Sequence, residues 1–317
     1  LQLLDEDGYF GNITTLRLVV QSSLSNFHDL LREKMQYVDI ASFGYRPSYV
    51  FDNAEIQVAI FTGQKGTEDR GTISTSEFVW LQQKQRTKQL SEISYADVDG
   101  YVLSDKIGGR SDTNYQILPK IGTEEIQSIL DVLESHSETD SLFGDVYDRE
   151  REVDVDDEEL NRVWRREGLL YWVNPMLEKL YDAREVKPMY FDSELEQKTA
   201  FMVMNSSLFY LYWVVYGNQR HLNWGQIKAF PFPDREVIEE NEERIIEDAD
   251  ELWEGMKVRF NEDTRHFHTA NMKPLIDDFE RDVMSELYGL SDEQVELLTS
   301  FYSEHGREED EPGVDKF

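Results

Sequence analysis

The side chains best able to do chemistry in this sequence are cations and amides set in turns beside aromatic residues. Gly108-Gly109-Arg110 lies between Lys106 and Lys120. Two glycines can let backbone N–H groups close on a phosphate, and the same triplet is equally an ordinary turn. Leu160–Leu180 interleaves Trp164, Tyr171 and Trp172 with Arg162, Arg165 and Arg166. Such a mixture can stack on bases and hold phosphates, or it can form a core helix with a snorkelling basic edge. Covalent and metal chemistry find no support. With no cysteine there is no thiol nucleophile, disulfide or thiolate metal site. The motifs G-x-S-x-G, G-x-G-x-x-G and the phosphate loop with its Lys and Ser/Thr are all missing. His266 and His268, two residues apart, do not share a helix face, and no His pair at i, i+4 brackets a Glu. With 65 carboxylates, acidic pairs arise by chance, and none forms PD-x(n)-E-x-K.

The element that must organise these groups is Phe201–Pro233. Its run Leu208–Tyr216 is the most apolar in the chain, preceded by Asn205, Ser206 and Ser207 and followed by Gly217. Asn or Ser before the run is N-cap chemistry, and Gly after it suits a C′ position, so a short helix buried nearly all round is expected. Asn218-Gln219-Arg220-His221 then forms a polar loop, and Pro231-Phe232-Pro233 closes the unit, since two such prolines continue neither helix nor central strand.

Upstream, Ile13, Thr14, Thr15 and Leu16 mark Tyr9–Leu18 as a strand, and Leu24, Phe27, Leu31 and Met35 recur at helical spacing. Tyr37–Phe43, Glu55–Thr62 and Thr72–Val79 read as further strands. The loop joining Tyr37–Phe43 to Glu55–Thr62 is too short for a crossover helix, so those two should pair antiparallel. Glu77–Leu90, with Lys84, Arg86 and Lys88, reads as a helix with a basic face, either lying along a phosphate backbone or simply solvated. Val98–Lys120 is irregular. Ile126, Ile129, Leu130 and Leu133 make Thr123–His136 helical. Ser137–Glu159 is polar and acidic, and exposure is expected of it. Asp234–Thr264 reads as one long acidic helix, with Ile238, Ile245 and Leu252 every seven residues and Ala249, Trp253 and Met256 beside them. Leu275, Phe279, Val283 and Leu287 form an i, i+4 stripe that can receive it. A last helix starts after Ser291 with Gln294 as its capping box, burying Val295, Leu298 and Phe301, and fraying is expected past Gly306.

Asp and Glu number 65 against 32 Lys and Arg, a net charge of −33 over 317 residues. That balance speaks against phosphate binding by the chain as a whole. The acids are dispersed rather than gathered in a tail, which is the pattern of a protein from a very salty cytoplasm. At molar salt the Debye length is ~3 Å, so only close charges act. Hydrophobic residues at 39% and aromatics at 12% fit a globular protein with room for two domains. No run reaches the ~18–20 apolar residues of a membrane span, and no secretory signal is visible. A cytoplasmic location without membrane association is expected.

Two stretches carry a resemblance. Asn-Ser-Ser-Leu-Phe, an apolar helix, Arg-His-Leu-Asn and Ile-Lys-x-Phe-Pro-x-Pro, in that order within Phe201–Pro233, look like the close of the target-recognition region of large adenine-specific DNA methyltransferases. These are the type IIG restriction–modification enzymes and related phage-defence methylases. Residues 41–62, ASFGYRPSYVFDNAEIQVAIFT, resemble the end of their methyltransferase domain, with Arg46, Pro47, Ser48, Phe51 and Asp52 in the loop before the final strand. The segment from Lys273-Pro-Leu-Ile-Asp through Tyr288-Gly-Leu-Ser to Phe301 resembles the family's closing segment.

The resemblance implies an α+β chain. The end of a methyltransferase-like sheet (strand, helix, strand, strand) would occupy 1–90, a mixed DNA target-recognition domain 91–233, and a helical C-terminal region 234–317. It implies double-stranded DNA as partner, with Lys106, Arg110, Arg220, His221, Asn223 and Lys228 as contacts. Arg or Lys to guanine and Asn to adenine are the usual base-edge pairs. The family's two catalytic signatures, a Gly-containing turn for S-adenosylmethionine and an Asn/Asp-Pro-Pro-aromatic loop for the flipped adenine, are missing. Asn174-Pro175-Met176-Leu177 lacks the second proline and the aromatic residue. In the family both signatures precede the first strand, and residue 1 is Leu. The expectation is therefore a piece of a longer enzyme, with the cofactor bound upstream and no catalytic or metal residue here. Two alternatives stand beside it. One is a non-enzymatic subunit that completes a separately encoded catalytic half through the sheet edge at Tyr9–Leu18. The other is an acidic DNA mimic.

Overall fold

The computed structural model describes residues 4–45, 47–51, 55–66, 71–104, 116–136, 161–169, 172–267 and 269–305. The chain is α+β. In its first part the elements are β1 (Tyr9–Thr15), α1 (Arg17–Val20), α2 (Ser25–Lys34), β2 (Met35–Phe43), β3 (Val58–Lys65), β4 (Thr72–Val79), α3 (Arg86–Ser91) and β5 (Ala96–Asp97). They form a five-stranded mixed sheet in the order β1-β3-β2-β4-β5. β3 runs antiparallel to β1 and to β2, with Thr15 and Phe43 both opposite Val58, so β1 and β2 are parallel to each other. β4 is parallel to β2. The order strand, helix, strand, loop, strand and the antiparallel pairing across the loop are as the sequence implies. β1 stops at Thr15 rather than Leu18, because Leu16 and Val19 turn inward on a helical turn and are buried.

The helix expected over Glu77–Leu90 is not formed. Ser42 pairs with Phe78 and Phe43 with Val79, so pairing with β2 claims the start of that stretch. Only Arg86–Ser91 is helical. Arg86 turns inward and donates to the carbonyls of Tyr49, at 3.3 Å, and Val50. With Ser48 N–H donating to Leu81 O at 3.0 Å, this pins the loop that follows β2. Arg46 and Asp52 lie outside the described residues.

Residues group into two units, Leu1–Leu130 with Trp213–Gln219, and Asp131–Tyr212 with Arg220–Phe317. Beside the sheet, the first unit holds a two-residue pairing of β6 (Leu103–Ser104) with β7 (Gln116–Ile117) and the start of α4 (Glu124–Ser135). Ile126, Ile129 and Leu130 are buried as their spacing implies. The turn before α4 is fixed by Thr75, whose hydroxyl donates to Pro119 O at 2.7 Å and whose carbonyl accepts Gly122 N–H at 3.0 Å. Gly122 has φ +75°, and a Cβ there would stand 2.4 Å from Glu77 N.

The second unit opens with β8 (Asn161–Arg166) paired antiparallel with β9 (Val186–Phe191). Then come α5 (Glu194–Asn205), capped by Ser193 accepting Glu196 N–H at 3.2 Å, and α6 (Ser207–Tyr216), whose residues from Trp213 on group with the first unit. All ten residues of α6 are buried. The expected Ser cap is present, with Ser206 Oγ accepting Phe209 N–H at 3.1 Å. Beyond it lie α7 (Trp224–Ala229), α8 (Arg235–Glu240) and α9 (Glu242–Lys257).

The single helix expected over Asp234–Thr264 is broken at Asn241, whose side chain donates to Val237 O at 2.9 Å. Its seam is as read, with Ile238, Ile245, Ala249, Leu252, Trp253 and Met256 buried. After α9 the chain makes a small hairpin, β10 (Phe260–Asn261) with β11 (His266–Phe267). α10 (Thr269–Phe279), a π-helical turn Glu280–Met284, α11 (Ser285–Tyr288) and α12 (Asp292–His305) complete the fold. Ser291 and Gln294 form the expected capping box. No described helix is long and apolar enough to cross a membrane.

Candidate nucleic-acid interface

Within Leu160–Leu180, the described residues 161–169 and 172–180 form no helix. Asn161–Arg166 alternates with period two against β9, which puts Arg162, Trp164 and Arg166 on one face and Val163 and Arg165 on the other. Trp164 exchanges two backbone hydrogen bonds of 2.7 Å with Met176. Its ring lies 5.8 Å from the Arg162 guanidinium and 5.3 Å from Lys179 Nζ. Arg165 is 1% exposed and serves a different purpose. Its guanidinium packs 4.4 Å from the centre of the Trp224 ring and donates to Leu222 O at 3.3 Å. It thereby holds the segment Arg220–Trp224 from within.

That segment runs antiparallel beside Glu167–Leu169. Leu169 N–H donates to Arg220 O at 2.8 Å, Leu222 N–H donates to Glu167 O at 3.0 Å, and His221 stands opposite Gly168. Leu222 is buried while Arg220 and His221 are exposed. Asn223 is exposed but forms a capping box on α7, with its own N–H donating to Gln226 Oε1 at 3.3 Å. Lys228, half-buried, lies in the last turn of α7. Four residues singled out from the sequence, Arg220, His221, Asn223 and Lys228, thus share one short stretch. Lys106 and Arg110 lie outside the described residues.

Close to this edge the structure adds groups that the sequence reading did not select. Arg166, two residues before Gly168, pairs with Glu185 at 2.5 Å and donates to His266 Nδ1 at 3.2 Å. His266 belongs to the β10–β11 hairpin. Phe260 of that hairpin stacks on Tyr181 at 5.7 Å and 12°, and Phe267 packs on Phe260 at 5.1 Å. Burial pushes the Tyr181 hydroxyl pKa up, and Lys179 holds the Asp182 carboxyl below the usual range by hydrogen bond and charge.

A signal for this region was available in the sequence as charge counted by segment. Residues 161–233 carry nine Lys and Arg against seven Asp and Glu, and the rest of the chain 23 against 58. Among the described residues, no three His, Asp or Glu are grouped to hold a metal ion.

No family model and no curated protein matches this sequence. Among solved structures the chain is similar to the type IIL restriction-modification enzyme MmeI, solved in complex with DNA, at 11% identity and a TM-score of 0.43. That alignment covers 95% of this chain and 50% of that one. It is also similar to the type IIG restriction endonuclease BpuSI at 10% identity and a TM-score of 0.29, covering 96% of this chain and 49% of that one. The chain therefore spans about half the length of these two structures. At these scores the two alignments assign neither family nor activity.

Proposed function

We propose that this chain supplies DNA target recognition within an adenine-specific, S-adenosylmethionine-dependent DNA methyltransferase of a restriction–modification or phage-defence system. The observation that carries the reading is the stretch 220–228. The family-like motif Arg-His-Leu-Asn forms an exposed edge at Arg220 and His221, braced from beneath by Arg165, in a segment, 161–233, where nine Lys and Arg stand against seven Asp and Glu. The order strand, helix, strand, pinned loop, strand in the first unit agrees with what the resemblance at 41–62 implies.

In this reading the recognition region spans roughly 91–233, as the resemblance implies. Arg220 and His221 meet the duplex, Lys228 supports them electrostatically, and Asn223 mainly fixes the end of the loop. Lys106 and Arg110 are proposed as further contacts. No residue of the chain is assigned to the cofactor or to methyl transfer.

A second reading, a non-enzymatic specificity subunit, is favoured by β1. This strand is the edge of its sheet, has no charged residue, and leaves Tyr9 68% and Ile13 52% exposed. Such an edge invites a strand from another polypeptide. Selection from a pool of random duplexes tests recognition in either case. Enrichment of one short motif, blurred by Arg220→Ala, is the expected result. Recovery of no duplex, or of duplexes without a shared motif, contradicts it.

A further inference from the structure

We infer that the β10–β11 hairpin extends this interface, Arg265 and His266 joining Arg166 in a corner that takes the phosphate backbone of DNA without reading its sequence. The inference rests on the DNA-recognition reading above.

The hairpin is held by aromatic packing. Phe260 is stacked on Tyr181 and covered by Phe267, so its position follows the turn at 181–185 rather than the long acidic helix before it. Arg265 takes φ +56°, an uncommon conformation for a side chain of this size, and its guanidinium reaches Asp182 O at 3.5 Å. His266 follows it. An arginine only donates, so the Nδ1 that faces Arg166 is an acceptor and the ring proton lies on Nε2. The exposed imidazole thus stands beside the Arg166 guanidinium.

The charge is favourable locally although the chain is strongly acidic. Residues 161–191 and 257–267 together hold nine Lys and Arg against six Asp and Glu; Lys179, Arg184, Arg265 and His266 are exposed, as are the acids Glu178, Asp182, Glu262 and Asp263. Asp182 and Glu185 orient the cations, and an incoming phosphate would compete for the same groups. Contacts of this kind position a protein on the duplex and carry no base information.

The test is fluorescence anisotropy of a labelled duplex titrated with the full chain over a range of KCl. Wild type is compared with Arg265→Gln, His266→Ala and, as control, Arg235→Ala, whose exposed side chain pairs with Glu196 on a different element. Thermal melts confirm that each variant is folded. Arg265→Gln and His266→Ala are expected to weaken binding roughly three- to tenfold on all sequences alike, and Arg265→Gln to lower the salt slope by about 1. Arg235→Ala should match wild type. If wild type binds and both hairpin variants bind equally well, this inference is overturned while the recognition reading stands. If wild type binds no duplex, both are overturned.

Discussion

Lys120 and Glu280 are fully buried ionisable side chains, each tied to one end of α6. Lys120 Nζ donates to Val215 O at 2.6 Å and Gly217 O at 3.0 Å, and Glu280 Oε2 accepts Ser207 N–H at 2.7 Å. A carboxylate at the N-terminus and an ammonium at the C-terminus both match the helix dipole. Desolvation nonetheless pushes Glu280 up to about 7 and Lys120 down to about 7. For Glu280 the folded value lies above the unfolded one, so its contribution is full below ~4.3 and is lost as pH rises to about 7. For Lys120 the folded value lies below the unfolded one, so stability is gained as pH rises from about 7 toward ~10.4. In urea melts, the stability of wild type relative to Glu280→Gln should fall from mildly acid to neutral pH. Relative to Lys120→Met it should rise above neutrality, and parallel curves would refute the assignment. Asn223 has a simpler test. Asn223→Ala should cost about 1 kcal/mol through the lost cap, whereas Asn223→Asp should keep the cap and most of the stability. Neither Lys120 nor Glu280 was legible as special in the sequence, because burial is decided by partners distant along the chain. The exposure of Arg220 and His221 was legible, since a helix stop placed them in a loop.

At the scale of elements, α6 was readable because ten apolar or small residues between polar neighbours leave few alternatives. Its ending was read for the wrong reason. Gly217 is not left-handed. It is close-packed, and a Cβ would stand 2.2 Å from Trp213 O and 2.9 Å from the Trp213 ring. Gly217→Ala is therefore expected to destabilise by about 2 kcal/mol, measurable as a lower thermal midpoint, whereas a C′ swap into open space would cost less. β8 shows the opposite failure. Its Arg and Trp residues satisfy a helical spacing nearly as well as an alternating one, and only the partner strand Val186–Phe191 decides between them. The hairpin at 260–267 escaped because the heptad of α9 was extended past Lys257, where no buried position follows to sustain it.

At the scale of the whole molecule, the charge of −33 sets the conditions under which everything else operates. Self-repulsion of dispersed carboxylates weakens the folded state at low ionic strength and is screened within ~3 Å at molar salt. The thermal midpoint is expected to rise steadily with KCl into the molar range, and a midpoint indifferent to salt would remove the reading of a protein from a salty cytoplasm. The same screening would let the proposed edge at Arg220 and His221 meet DNA despite the global charge. The measurement that bears most directly on the proposed role is the anisotropy of a labelled duplex titrated with the wild-type chain and with Arg220→Ala, across a KCl series. Saturable binding is expected, with log K falling linearly against log salt and Arg220→Ala clearly weaker. Absence of saturable binding at every KCl concentration in the series would contradict DNA recognition outright.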